Sequence, residues 1–123
     1  MPRADILERF IAKVESNDHV GAILQFYSAN ASMQENDLPP RTGREQLAAH
    51  EAKVLKRMKK VTSKCVRPAF VSGDNVVIRW VFEFEAFDGT RTRIEELAYQ
   101  RWEEGLIAEE KFFYDSRQLA PGT

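Results

Sequence analysis

The chain has little of what usually staples or marks a small protein. It holds one cysteine, Cys65, so no internal disulfide can form. Cys65 sits in an expected strand with no base nearby in sequence, which reads as a buried, inert thiol rather than a nucleophile. Only two histidines occur, His19 and His50, far apart and without the spacing of a metal site. There is no glycine-rich phosphate loop and no nucleophile elbow, so no nucleotide, flavin or metal cofactor is expected. No charge of one sign dominates: 18 Lys and Arg face 19 Asp and Glu, a net charge of −1. Nothing in that balance draws the chain to nucleic acid or to a membrane surface. The local basic run Lys53, Lys56, Arg57, Lys59, Lys60 and Lys64 lacks interleaved aromatics and reads as a solvated helix face. No apolar leader or spanning run appears, and a cytoplasmic protein is expected.

What the chain does have is length enough for one self-supporting core, and residues 1–123 read as a single domain. Asp5 and Glu8 form an expected capping pair ahead of Ile6, Leu7, Phe10, Ile11 and Val14, which recur at helical spacing. Asn17-Asp18 caps a second helix with Val20, Ile23, Leu24 and Tyr27 on its apolar face, leaving His19 at the surface. A strand over Ala31–Glu35 precedes Leu38-Pro39-Pro40, where no helix continues. Thr42 and Glu45 open a third helix carrying Leu47, His50, Val54 and Met58 on one side. Val61–Val71 is a strand that Pro68 assigns to a sheet edge or a bulge.

Three long strands follow. Asn75–Phe87 and Thr90–Trp102 flank Asp88-Gly89, a two-residue hairpin signal, and Glu103-Glu104-Gly105 turns the chain into Leu106–Asp115. The order α-α-β-α-β-β-β-β gives an α+β fold. A two-residue turn pairs Phe87 with Thr90, placing Arg79, Val81, Glu83 and Glu85 on one face with Glu96, Ala98, Ile94 and Thr92. The second turn adds Glu110, Phe112 and Tyr114 to the face of Gln100 and Trp102. The other face collects Val76, Ile78, Trp80, Phe82, Phe84, Leu97, Tyr99, Ile107 and Phe113. Two arrangements are open. The apolar face meets the helices and the mixed face is solvated, which composition favours. Alternatively the helices cover the mixed face around a pocket, and the apolar face joins two copies.

The element order, the stretch Met33-Gln34-Glu35-Asn36 before Pro39-Pro40-Arg41-Thr42-Gly43-Arg44-Glu45, and the ending Glu96–Trp102, Gly105-Leu106-Ile107 and Glu110–Asp115 resemble SnoaL-like proteins of the nuclear transport factor 2-like superfamily. The resemblance implies a cone-shaped α+β barrel, cystatin-like, with three helices from the N-terminal half on a strongly curved, mostly antiparallel sheet around a pocket. It favours the second arrangement, with a homodimer through Trp80, Phe82, Phe84, Leu97 and Tyr99. The implied function is binding of a small, partly oxygenated hydrophobic molecule, with cofactor-free acid–base chemistry of a cyclase, isomerase or dehydratase type. A non-catalytic ligand binder or a dimeric interaction module is the alternative.

The segment Leu38–Arg44 looks most like limonene epoxide hydrolase. Met33 and Glu35 stand where that enzyme holds its water with a tyrosine and an asparagine. Arg79 matches its arginine, while Val81 and Phe112 replace its two catalytic aspartates, so that route to epoxide opening is disfavoured. The oxyanion-hole aspartate of ketosteroid isomerase falls near Ala98, which has no donor. The residues left to carry chemistry are Glu96 and Glu110 beside Arg79. Met33, Glu35, His50, Gln100, Trp102, Phe112 and Tyr114 are expected to complete the pocket lining. Arg79 has a second reading, as the ion-pair partner of Glu96 or Glu110.

Overall fold

A computed structural model describes residues 3–119. The elements are α1 (Ala4–Glu15), α2 (His19–Phe26), β1 (Tyr27–Glu35), β2 (Arg41–Thr42), α3 (Arg44–Lys56), β3 (Met58–Ser72), β4 (Asn75–Ala86), β5 (Arg91–Glu103) and β6 (Leu106–Phe113). A short 3-10 turn, Ser116–Leu119, follows. Six strands form one sheet in the order β2-β1-β6-β5-β4-β3. β1 and β6 run parallel and every other neighbouring pair is antiparallel. The sheet is strongly curved but does not close, because β2 and β3 are its two edges. Three helices pack on it, giving the α+β class expected. Among the described residues no helix is long and apolar enough to cross a membrane.

α1 buries Leu7, Phe10, Ile11 and Val14, the i, i+3, i+4, i+7 stripe of its sequence. Its expected capping pair does not form: Arg3 is the N-cap without a side-chain bond, and Glu8 instead pairs with Arg67 on β3 at 2.7 Å. α2 is capped as expected, the Asp18 carboxylate accepting from the Gly21 N–H at 2.9 Å. A Cβ at Gly21 would lie 2.3 Å from that carboxylate, so the cap requires the glycine. α3 starts at Gly43, with φ of +103°, rather than through a Thr42–Glu45 box. β3 lies at the sheet edge, as Pro68 requires, with its register broken between Val66 and Phe70.

The hairpin between β4 and β5 decides the faces, and here the structure corrects the sequence reading. The turn holds three residues, Phe87, Asp88 and Gly89, between Ala86 and Thr90, which exchange a backbone bond of 2.8 Å. Gly89 takes φ of +89°, the left-handed position that follows a type I turn, and Asp88 Oδ1 accepts from the Thr90 N–H at 2.9 Å. Trp80 therefore opposes Glu96, and Ile78 opposes Ala98. One residue of slip moves Trp80, Phe82 and Phe84 onto the concave face with Glu96. It sends Arg79 and Val81 to the convex face with Leu97 and Tyr99.

The second turn is also revised, being the two residues Glu104 (φ +52°) and Gly105 (φ +80°) between Glu103 and Leu106. A bulge between Arg101 and Trp102 then offsets the change, so Gln100 opposes Glu110 and Ala98 opposes Phe112. The same bulge turns Ile107 into the core, contrary to its expected place. Phe10 sits at the centre of that core, its ring in edge contact with Phe26, Tyr27, Trp80 and Trp102 at 5.5–6.5 Å.

Candidate ligand cavity

Between the helices and the concave face lies a cavity of about 440 Å³. Its walls are mostly apolar and aromatic, and Trp80 and Phe82 stack within it at 5.6 Å with planes 20° apart. β-strand alternation explains the set: Trp80, Phe82 and Phe84 of β4, Glu96 and Ile94 of β5, and Glu110 and Phe112 of β6 all share one parity of the pleat.

Glu110 is the anchored carboxyl. The Trp102 indole N–H is a donor only, so it fixes the Gln100 amide oxygen toward itself at 2.9 Å. That turns the Gln100 amide nitrogen onto Glu110 Oε2 at 2.6 Å, while the Tyr27 hydroxyl donates to Glu110 Oε1. All four residues are buried. Burial pushes the Glu110 carboxyl up to about 7, and the two donors hold back part of that rise. The Tyr27 hydroxyl is raised well above its ordinary range by its own burial and by Glu110.

Glu96 has the opposite environment. It lines the cavity and accepts a hydrogen bond from no described residue. Burial, then the negative charges of Glu110, Glu35 and Glu51, push it up to about 8. Near neutrality Glu96 is thus a carboxylic acid, and Glu110 the more readily ionised of the two.

A third cluster marks the more exposed end. Tyr114 donates to Glu35 at 3.2 Å, and Arg41 lies 3.5 Å from the other Glu35 oxygen. Burial and the Glu35 charge raise the Tyr114 hydroxyl to about 12. A fourth group joins α2, α3 and β3: His19 Nε2 is 2.7 Å from Ser63 Oγ, and His19 Nδ1 is 3.6 Å from Glu51.

Of the residues expected at the site, Glu96, Glu110, Met33, Glu35, His50, Phe112 and Tyr114 line the cavity. Gln100 and Trp102 do not: they stand behind Glu110 as its support. Arg79 is not brought to the site at all. It lies half-exposed on the convex face and pairs with Glu95 at 2.9 Å, so it neutralises neither Glu96 nor Glu110. Sequence reasoning missed Tyr27, Glu51 and His19. Glu51 is four residues after Leu47 and His19 is four before Ile23, so helical spacing carried the signal, but their polarity argued against it.

Residues 7–110 match the SnoaL-like domain family. Among curated proteins, none matches the chain. Solved structures that share the fold include a putative SnoaL-like polyketide cyclase from Mesorhizobium loti, 21% identical, covering 93% of this chain and 100% of the other at a TM-score of 0.77. A nuclear transport factor 2-like protein of unknown function from Burkholderia pseudomallei is 12% identical, with 94% and 92% covered and a TM-score of 0.79. An M. tuberculosis epoxide hydrolase of the limonene type is 12% identical, with 93% and 83% covered and a TM-score of 0.76. These likenesses are of fold. Arg79 and Val81, matched above to the limonene enzyme's arginine and one aspartate, face away from the cavity, and their inward neighbour Trp80 carries no carboxylate. With the match spanning most of its length, the chain belongs to the SnoaL-like domain family.

Proposed function

We propose that the cavity takes a small, partly oxygenated hydrophobic molecule and moves a proton on it without a cofactor, in a cyclase, isomerase or dehydratase type of reaction. One observation carries this: of the four carboxyls that face the mostly apolar cavity, Glu110 is held by two donors and Glu96, among the described residues, by none. Glu110 is buried and served by donors, whereas Glu96 is partly buried with its carboxyl open to the cavity, so a ligand can reach it. In this reading the Glu96 O–H donates to a substrate carbonyl as negative charge develops there, and Glu110 accepts the proton from the adjacent carbon. Both oxygens of Glu110 already accept one bond, and each retains a lone pair for that proton. The Gln100–Trp102 pair positions the base. The test is deuterium exchange next to the carbonyl of a panel of cyclic ketones, followed by NMR in heavy water. Exchange is expected with the native chain and should fall by about 100-fold or more in Glu110→Gln. Ligands that bind without any exchange would make the chain a non-catalytic binder.

The convex face supports a proposal of assembly. Leu97, Tyr99 and Phe113 lie on it side by side, 45%, 47% and 45% exposed. We propose a homodimer through this face, with these residues in place of the inward Trp80, Phe82 and Phe84. Leu97→Glu is expected to give a folded monomer by sedimentation velocity. A native chain already monomeric at micromolar concentration would remove the interface.

A further inference from the structure

The cavity holds more acid than base. Glu35 of β1, Glu51 of α3, Glu96 of β5 and Glu110 of β6 face it. Against them stand Arg41 of β2, His19 of α2 and His50 of α3, and the hydroxyls of Tyr27 and Tyr114 add donors but no charge. Three carboxyls are already served: Glu35 by Arg41 and Tyr114, Glu110 by Tyr27 and Gln100, and Glu51 by the nearby His19 ring. Among the described residues Glu96 has no such partner. Directly opposite it across β4 and β5 is Trp80, stacked on Phe82, so an electron-rich aromatic surface borders the unserved carboxyl. Carboxylate plus aromatic ring is the pairing that holds an organic cation in an apolar site.

We propose that the cavity's ligand carries a basic nitrogen on its hydrophobic body, with the ammonium group seated between the Glu96 carboxylate and the partly exposed ring of Phe82, which stacks on the buried Trp80. This rests on the cavity being a ligand site, as above, and changes the part Glu96 plays there. A carboxylate paired with an ammonium has no O–H to donate, so the ligand's own positive charge takes over the stabilisation of negative charge developing on a carbonyl. A neutral ligand leaves the surplus of carboxyls unanswered. An acidic ligand finds Arg41 already held by Glu35 and His19 already beside Glu51, with only His50, among the described lining residues, not so engaged. An ammonium supplies the missing positive charge and replaces the proton that Glu96 keeps in its absence, so binding releases a proton.

The probes are a matched pair of one shape, (4-hydroxyphenyl)trimethylammonium and 4-tert-butylphenol, titrated calorimetrically at about pH 7.5 in phosphate and in Tris. The cation is expected to bind at least about tenfold more tightly than its neutral twin. The heats in the two buffers should differ in the sense of proton release. Raising the pH from about 6 to about 8 should tighten the cation, since Glu96 and Glu110 give up their protons over that range. In Glu96→Gln the preference should shrink to within about twofold while the phenol still binds. Equal affinities, proton uptake, or an undiminished preference in Glu96→Gln would overturn the inference. If the phenol alone binds, the ligand-site reading stands and the charge inference fails. If neither compound binds at millimolar concentration, both fail together.

Discussion

Replacing Trp80 by alanine is expected to destabilise the fold by about 3–5 kcal/mol, the cost of emptying a large aromatic site in a core. Trp80 is 2% exposed, in edge contact with Phe10 at 6.5 Å and stacked on Phe82. Trp80→Glu should leave the chain unfolded, because it adds an unpaired buried charge to the lost packing. Arg79→Ala, one residue away, should cost less than about 1 kcal/mol, since its partner Glu95 sits in an exposed pair. Urea denaturation of both variants measures the difference. The outcome turns on the register of one hairpin: a mild Trp80→Ala that dissolved a dimer, beside a severe Arg79→Ala, would mean that β4 faces the other way.

Glu96→Gln is expected to raise stability at alkaline pH. The folded carboxyl titrates at about 8, against an ordinary value of 4.5 when the chain is unfolded. Below the ordinary value Glu96 is protonated in both states and contributes nothing to the pH dependence. Between the two values the unfolded chain gives up the proton and the folded chain keeps it, so stability falls as pH rises, and the loss is complete above the folded value. Glutamine removes that loss. The carboxyl faces a cavity rather than packed protein, which trims the gain to roughly 2–4 kcal/mol near pH 8.5, with little change near pH 4.5. Guanidinium unfolding across that range is the measurement. Parallel curves for the native chain and the variant would show that Glu96 titrates as an ordinary surface acid.

Much of the fold was legible because the periods were clean. The α1 stripe, the Asp18 cap, the edge position of the Pro68 strand and the three-strand meander follow from spacing and turn chemistry. The faces of β4 were not legible. Asp88-Gly89 suits a two-residue turn with two left-handed residues and equally a three-residue turn ending on a left-handed glycine, and the two differ by one residue of register. The chain takes the second, so every residue of β4 exchanged sides, bringing Trp80 inward and taking Arg79 away from the site. Glu110 and Phe112 reached their expected face by two compensating departures, a shorter turn at Glu104-Gly105 and a bulge beside Trp102. No sequence signal announced the bulge. The support of Glu110 by Tyr27 was hidden for a different reason: the two are 83 residues apart, and the tyrosine sat in an apolar helical pattern that explained it without its hydroxyl.

The distinct environments of Glu96 and Glu110 are the core of this account, and carbon-13 NMR of glutamate-labelled protein reads them directly. Following each side-chain carboxyl from about pH 3 to about pH 10, with Glu96→Gln and Glu110→Gln for assignment, should give midpoints of about 8 for Glu96 and about 7 for Glu110. Midpoints for both near the ordinary 4.5 would contradict it, leaving a cavity lined by unexceptional carboxylates and no acid–base pair.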